Sequence, residues 1–171
     1  MKILLDESEI RDGIHRLAAQ LNERYQQQTL TIVSIMTGSL VMLADLIRCL
    51  EMPIRISLIQ ASSYRGTMTS GELRIQDQMM LDIRGRDVLL IDDIFDTGKT
   101  LEQVSARLLE LQPRSLQSAV FLNKSGQSVV NAKPDYVVFR NPKRLCSWIR
   151  FGLRRSLSQL TVRGDTGTFG Y

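Results

Sequence analysis

Three carboxylates and a small polar turn stand within one short stretch of the chain, residues 88–101, VLLIDDIFDTGKTL. The adjacent acids Asp92 and Asp93 can accept hydrogen bonds from sugar hydroxyls or approach a divalent cation. Asp96 follows three positions later and opens the run Asp96-Thr97-Gly98-Lys99-Thr100. Such a run can wrap a phosphate group with backbone N–H groups, hydroxyls and the positive end of a following helix. Gly98-Lys99-Thr100 mimics the end of a nucleotide-binding Walker loop. The first glycine of that motif would have to stand at position 93, which is aspartate, so the motif is excluded.

These side chains need elements to hold them. The aliphatic run 88–91 predicts a buried strand. Leu101, Val104, Leu108 and Leu111 recur at helical spacing and predict a helix over 99–111, ended by Pro113. The acids and the turn then form a loop at the carboxyl end of a strand, where an open parallel sheet binds its ligands. A second strand-to-helix turn, Met36-Thr37-Gly38-Ser39, lies between an apolar strand at 30–35 and a helix at about 40–49. The residues alone leave two readings of it open, a plain tight turn or an anion cradle at a helix N-terminus. A helix at about 7–25 carries Ile10, Ile14, Leu17, Ala18 and Leu21 on one face. Further strands are expected at 53–60, 73–75, 79–83 and 118–122. The polar run 61–72, with two glycines, has the composition of a solvated surface loop.

The composition narrows the function classes. A chain of 171 residues, 43% hydrophobic and 23% charged, suits one globular domain. No apolar run is long enough to span a membrane and no leader pattern opens the chain, so a cytoplasmic protein is expected. The single histidine, His15, and the widely spaced Cys49 and Cys146 offer no metal-ligand pattern or histidine-based triad. The net charge of +4 suits an anionic substrate, or more weakly a nucleic acid. Seven of the cations lie between Arg140 and Arg163, a span without a single acid.

An apolar strand, two acids, two spacers and then Asp-Thr-Gly-x-Thr resembles the phosphoribosyl-diphosphate (PRPP) loop of the type I phosphoribosyltransferases. The Asp-Thr-Gly form is similar to that of the hypoxanthine/guanine branch. The resemblance implies an α/β fold, a parallel sheet flanked by helices, with a small hood built from the N-terminal segment and about 140–171. All of 1–171 would be one domain. It implies transfer of a 5-phosphoribosyl group from PRPP to a 6-oxopurine with Mg²⁺, giving IMP or GMP and pyrophosphate. A homodimer or homotetramer is expected, with neither membrane nor nucleic acid as a partner.

Carried over residue by residue, the resemblance makes Asp96 the general base. Asp92, Asp93, Asp96, Thr97, Gly98, Lys99 and Thr100 would bind PRPP through its ribose and 5′-phosphate, with Asp92 and Asp93 shaping the metal site. Thr37, Gly38 and Ser39 would hold the pyrophosphate at a turn containing a cis peptide, here Met36–Thr37. Thr37 stands where the family commonly has lysine or arginine. The polar run would be the family's mobile catalytic loop, with Ser63 and Tyr64 as its Ser-Tyr pair. Lys124, which composition alone would make a surface charge, would read the purine's 6-oxo group. Trp148, the only tryptophan, is either a core or interface aromatic or the platform on which the base stacks. Residues 133–139 are similar to the family's next strand, which the resemblance therefore implies there; beyond about Asn141 the resemblance degrades, and Arg154 falls where relatives usually carry a metal-side aspartate. Two alternatives therefore stand beside the salvage enzyme. One is a PRPP-sensing regulator that binds nucleic acid through the basic tail. The other is an enzyme of the same fold with a different acceptor base.

Overall fold

A computed structural model describes residues 7–62, 74–75, 82–124, 130 and 133–140. The chain runs α1 (Glu7–Tyr25), β1 (Leu30–Met36), α2 (Leu40–Ile47), β2 (Ile54–Ser62), β3 (Arg74–Ile75), β4 (Asp87–Phe95), α3 (Lys99–Glu110), β5 (Ser115–Asn123) and β6 (Tyr136–Arg140). The strands form one sheet in the order β3-β2-β1-β4-β5-β6. Five of them are parallel, and the short β3 pairs antiparallel with the end of β2. The strand expected at 133–139 is β6. Of the strand expected at 79–83, Asp82 and Ile83 lie outside the sheet and the rest lies outside the described residues.

The two central strands explain the apolar runs. β1 and β4 lie side by side in the sheet interior, so both of their faces are covered and neither needs polar alternation. Leu30, Ile32, Leu89 and Ile91 pack into a core with α1 and α2. Val33, Ile35, Val88 and Leu90 pack into a second core with Leu101, Val104 and Leu108 of α3. Burying a side chain of this size contributes roughly 1.5–3 kcal/mol each.

The strand order reverses at the β1–β4 boundary. From β1 the chain leaves through α2 toward β2; from β4 it leaves through α3 toward β5. The carboxyl ends of β1 and β4 therefore open a crevice at a topological switch point, the position where such sheets bind ligands. The turn at 36–39 and the loop at 96–100 sit on either side of it.

At the opposite end of the sheet, Asp87 opens β4 as a buried carboxylate. Arg114 donates to both of its oxygens and the Ser115 hydroxyl donates to Oδ1 at 2.7 Å. The Arg114 hydrogen bonds, supported by Ser115, hold the Asp87 carboxyl below the usual aspartate range. This cluster ties the entries of β4 and β5 together, away from the crevice.

Candidate active site

β4 runs through Phe95, so Asp92 and Asp93 belong to the strand rather than to a loop. The reason is the β5 ladder, which continues past the acids to pair Ile94 with Leu122 and Phe95 with Asn123. Asp92 is 7% exposed, and its Oδ1 accepts from the Asp93 N–H at 2.9 Å. Burial first, and then the neighbouring Asp93 carboxylate, push the Asp92 carboxyl up to about 7. Asp93 turns toward the end of β1: a Cβ built on Gly38 would overlap its carboxylate.

The turn at 36–39 contains a cis peptide bond between Met36 and Thr37, as the resemblance implies. Thr37 is exposed and Gly38 half-buried. Ser39 is fully buried, and its hydroxyl donates to the Ile35 carbonyl and pairs with the Ser34 hydroxyl at 2.7 Å. That hydroxyl faces into the protein, so any contact of Ser39 with an anion falls to its backbone. Ser39 caps the start of α2 without a side-chain hydrogen bond to the helix. Sequence reasoning passed over Ser34; the available signal was a serine inside an otherwise apolar buried strand.

On the other side of the crevice, Gly98 caps α3 with φ +83 and no side-chain cap. A Cβ there would lie 2.5 Å from Val130 and 2.8 Å from the Phe95 ring, so both conformation and space demand glycine. Lys99 opens the helix; its N–H reaches the Thr97 hydroxyl only weakly, at 3.5 Å. Two helices thus point N-termini that lack a capping side chain toward one crevice, the arrangement that favours anions. Asp92, Phe95, Asp96, Thr97, Gly98 and Thr100 border a small cavity beneath the loop. A wider groove, between α1 and β6 at Glu23, Arg24 and Asp135, contains none of these residues. The strand-end crevice is where the chemistry-bearing side chains converge.

Lys124 follows β5 and reaches the same loop. Its N–H donates to the Phe95 carbonyl at 2.9 Å, and its Nζ donates to Asp96 Oδ2 at 2.8 Å. Asp96 Oδ1 is sealed from solvent and has no partner among the described residues. Ser63, Tyr64 and Trp148 lie outside the described residues, as do Arg154 and the rest of the expected hood.

Among the described residues no group of three or more acids, histidines and cysteines could hold a metal by itself. Asp92 and Asp93 nevertheless fit Mg²⁺, which commonly takes one or two carboxylates and completes its shell with water and substrate phosphates. A buried carboxyl raised by its acidic neighbour is the kind of group that such a cation stabilises. Also among the described residues, no helix is long and apolar enough to cross a membrane.

Comparison with known proteins agrees with this geometry. The phosphoribosyl transferase domain model matches residues 1–158. The hypoxanthine-guanine phosphoribosyltransferase of Aquifex aeolicus is 34% identical over 146 residues, covering 84% of this chain and 82% of that protein. The hypoxanthine phosphoribosyltransferase of Salmonella typhimurium is 33% identical over 145 residues, covering 83% and 82%. A Trypanosoma cruzi hypoxanthine phosphoribosyltransferase, solved as a point mutant in a ternary substrates complex, superposes with a TM-score of 0.77 at 33% identity, covering 83% and 82% of the two chains. With its sheet, its crevice and its loop all of this kind, the chain belongs to the phosphoribosyltransferase family, alongside relatives that are hypoxanthine and hypoxanthine-guanine phosphoribosyltransferases.

Proposed function

We propose that this phosphoribosyltransferase is a purine-salvage enzyme that joins hypoxanthine or guanine to PRPP, giving IMP or GMP and pyrophosphate. The observation that carries this reading is the Asp96–Lys124 pair. A carboxylate and an ammonium side by side complement a 6-oxopurine, whose five-membered ring offers an acidic N–H next to a carbonyl oxygen. The relatives named above, and the T. cruzi enzyme solved in complex with the product IMP, support the same substrate class.

In this reading the 5′-phosphate sits on the N-terminal amides of α3, with Thr97 and Thr100 adding hydroxyls. The pyrophosphate lies against the turn at 36–39, where Thr37, Gly38 and Ser39 meet the N-terminus of α2. Asp92 and Asp93 accept from the ribose hydroxyls. Mg²⁺, when bound with PRPP, would be held in part by these two acids and would neutralise charge on the departing pyrophosphate. Purine N9 forms the bond to the anomeric carbon, and the carbon–oxygen bond to pyrophosphate breaks with its electron pair. Bond breaking runs ahead of bond making, so positive charge builds on the ribose in between. The proton on N7 passes to Asp96, and Lys124 donates to the 6-oxo oxygen. A base so positioned typically contributes about 10²–10⁴-fold.

The whole chain would act as one domain, with Ser63 and Tyr64 on a loop that closes over the reaction and Trp148 against the base. A homodimer or homotetramer is the expected assembly. The test is product analysis. Incubation with PRPP, Mg²⁺ and hypoxanthine or guanine is expected to release nucleotide and pyrophosphate one for one. Absence of nucleotide from both bases contradicts the reading.

A further inference from the structure

We infer that Ser34 is a positioning residue for the pyrophosphate turn: its hydroxyl holds the Ser39 hydroxyl inward and so keeps the first amides of α2 open to an anion. The inference rests on the reading of the site just given. It brings in a residue that lies beneath the crevice and touches no substrate.

Ser34 is the last residue of β1 paired with β4, opposite Ile91, whereas the ladder to β2 continues to Met36. It therefore stands where the crevice opens. Ser34 and Ser39 are both sealed from solvent. Their hydroxyl oxygens lie 2.7 Å apart, and the Ser39 hydroxyl also bonds the Ile35 carbonyl. Counting hydrogens gives this chain a direction. A carbonyl only accepts, so the one hydrogen of the Ser39 hydroxyl goes to Ile35. The hydrogen between the two serines must then come from Ser34. Ser34 donates to Ser39, and Ser39 donates to Ile35.

The chain diverts Ser39 from the usual task of its position. A serine that caps a helix ordinarily has β-region backbone and accepts from the second or third amide of that helix. Ser39 instead has φ −75 and ψ −7 and makes no such bond. The helical ladder begins with the Leu43 N–H on the Ser39 carbonyl at 2.8 Å. The Val41 and Met42 amides precede it in the first turn, where a helix supplies no internal partner. In a helix that capped itself, the Ser39 oxygen would take one of them. Here the bonds to Ser34 and Ile35 aim that oxygen the other way. Without Ser34 the oxygen is a buried acceptor short of a donor, which is costly. The donors within its reach from a cap position are the amides of its own helix. The helix would then cap itself where the pyrophosphate is to bind.

Nucleotide product lacks the pyrophosphate, so in this reading it uses the loop at 96–100 but not the turn at 36–39. PRPP uses both. The two ligands therefore separate a positioning role from general damage to the fold. The experiment is calorimetry on the full chain with PRPP and Mg²⁺, and separately with IMP, for the parent, Ser34→Ala, Ser39→Ala and the pair. Ser34→Ala is expected to weaken PRPP binding about five- to tenfold, the scale of one capping interaction, and IMP binding by no more than about twofold. In the Ser39→Ala background there is no hydroxyl to turn, so adding Ser34→Ala is expected to change PRPP affinity by no more than about twofold. Ser34→Cys keeps a weak donor of similar size and is expected to recover part of the loss. Thermal midpoints show that each variant is folded. Unchanged PRPP affinity in Ser34→Ala, equal losses for PRPP and IMP, or the same loss in both backgrounds overturns the inference while leaving the salvage reading intact. A parent that binds neither PRPP nor IMP overturns both.

Discussion

The Asp93 carboxylate fills the space that a Cβ on Gly38 would occupy. One acid of the pair on β4 is thereby fitted against the turn that follows β1, so the proposed ribose and pyrophosphate sites are built as one surface. Gly38→Ala has to push that carboxylate aside. The expected result is a loss of PRPP affinity on the order of 10- to 100-fold, since displacements near 1 Å at a site carry such effects. The thermal midpoint should move far less than the affinity. Calorimetry with PRPP and Mg²⁺ checks this, and unchanged affinity would separate the two sites.

Gly98 is constrained twice, by φ +83 and by the Phe95 and Val130 side chains. Gly98→Ala is expected to destabilise the protein by about 1–3 kcal/mol, from left-handed strain plus crowding. Thr100→Ala leaves the backbone alone and is expected to weaken nucleotide binding with little effect on stability. Chemical denaturation and nucleotide titration of the two variants separate these effects. Equal stability losses would mean that the loop is held by something other than the geometry at Gly98.

How much of this was legible in the sequence depends on how local each signal was. The apolar runs of β1 and β4 were readable because both strands are buried on two faces. The start of α3 was readable from Gly98 and the helical spacing of Leu101, Val104 and Leu108. The end of the aliphatic run at 91 placed Asp92 and Asp93 in a loop, whereas pairing with β5 carries the strand through Phe95. Cross-strand pairing is a long-range event that no local pattern reports. The inward turn of the Ser39 hydroxyl depends on Ser34 across the turn. The buried Asp87 carboxylate gave no local signal, because its partner Arg114 is 27 positions away. The Lys124–Asp96 contact was out of reach for the same reason.

Asp92 is a carboxyl kept where burial and Asp93 both oppose its charge. Asp92→Asn keeps an oxygen to accept from the Asp93 N–H and removes the charge. The ligand-free protein is expected to gain stability on the order of 1–3 kcal/mol near neutral pH, while PRPP binding weakens. A functional site that holds unfavourable charge commonly shows this opposition of stability and activity. Denaturation midpoints and PRPP affinities of the same preparations check it. A variant that is less stable as well as weaker in binding would show Asp92 to be structural.

The Asp87–Arg114 cluster gives the acid response a sign. Arg114 and Ser115 hold the Asp87 carboxyl below its ordinary value, so in acid the unfolded chain binds the proton first. The cluster's stabilisation is present above the unfolded value of about 4 and is lost as pH falls through the lower folded value. Arg114→Ala is expected to lower the thermal midpoint near neutral pH, and the gap to the parent should close in strong acid. A gap that is constant with pH would mean that Arg114 acts by packing alone.

The central claim is that this phosphoribosyltransferase selects a 6-oxopurine. It is tested most directly by kcat/KM for hypoxanthine, guanine, xanthine, adenine and a pyrimidine, each with saturating PRPP and Mg²⁺. A site that offers ammonium hydrogens to the 6-position turns them on a 6-amino group that cannot accept them, and sites of that kind discriminate strongly. Hypoxanthine or guanine is predicted to exceed adenine and the pyrimidine by about 10³-fold or more. Turnover of adenine or a pyrimidine at a rate equal to or above that of the 6-oxopurines would contradict the claim.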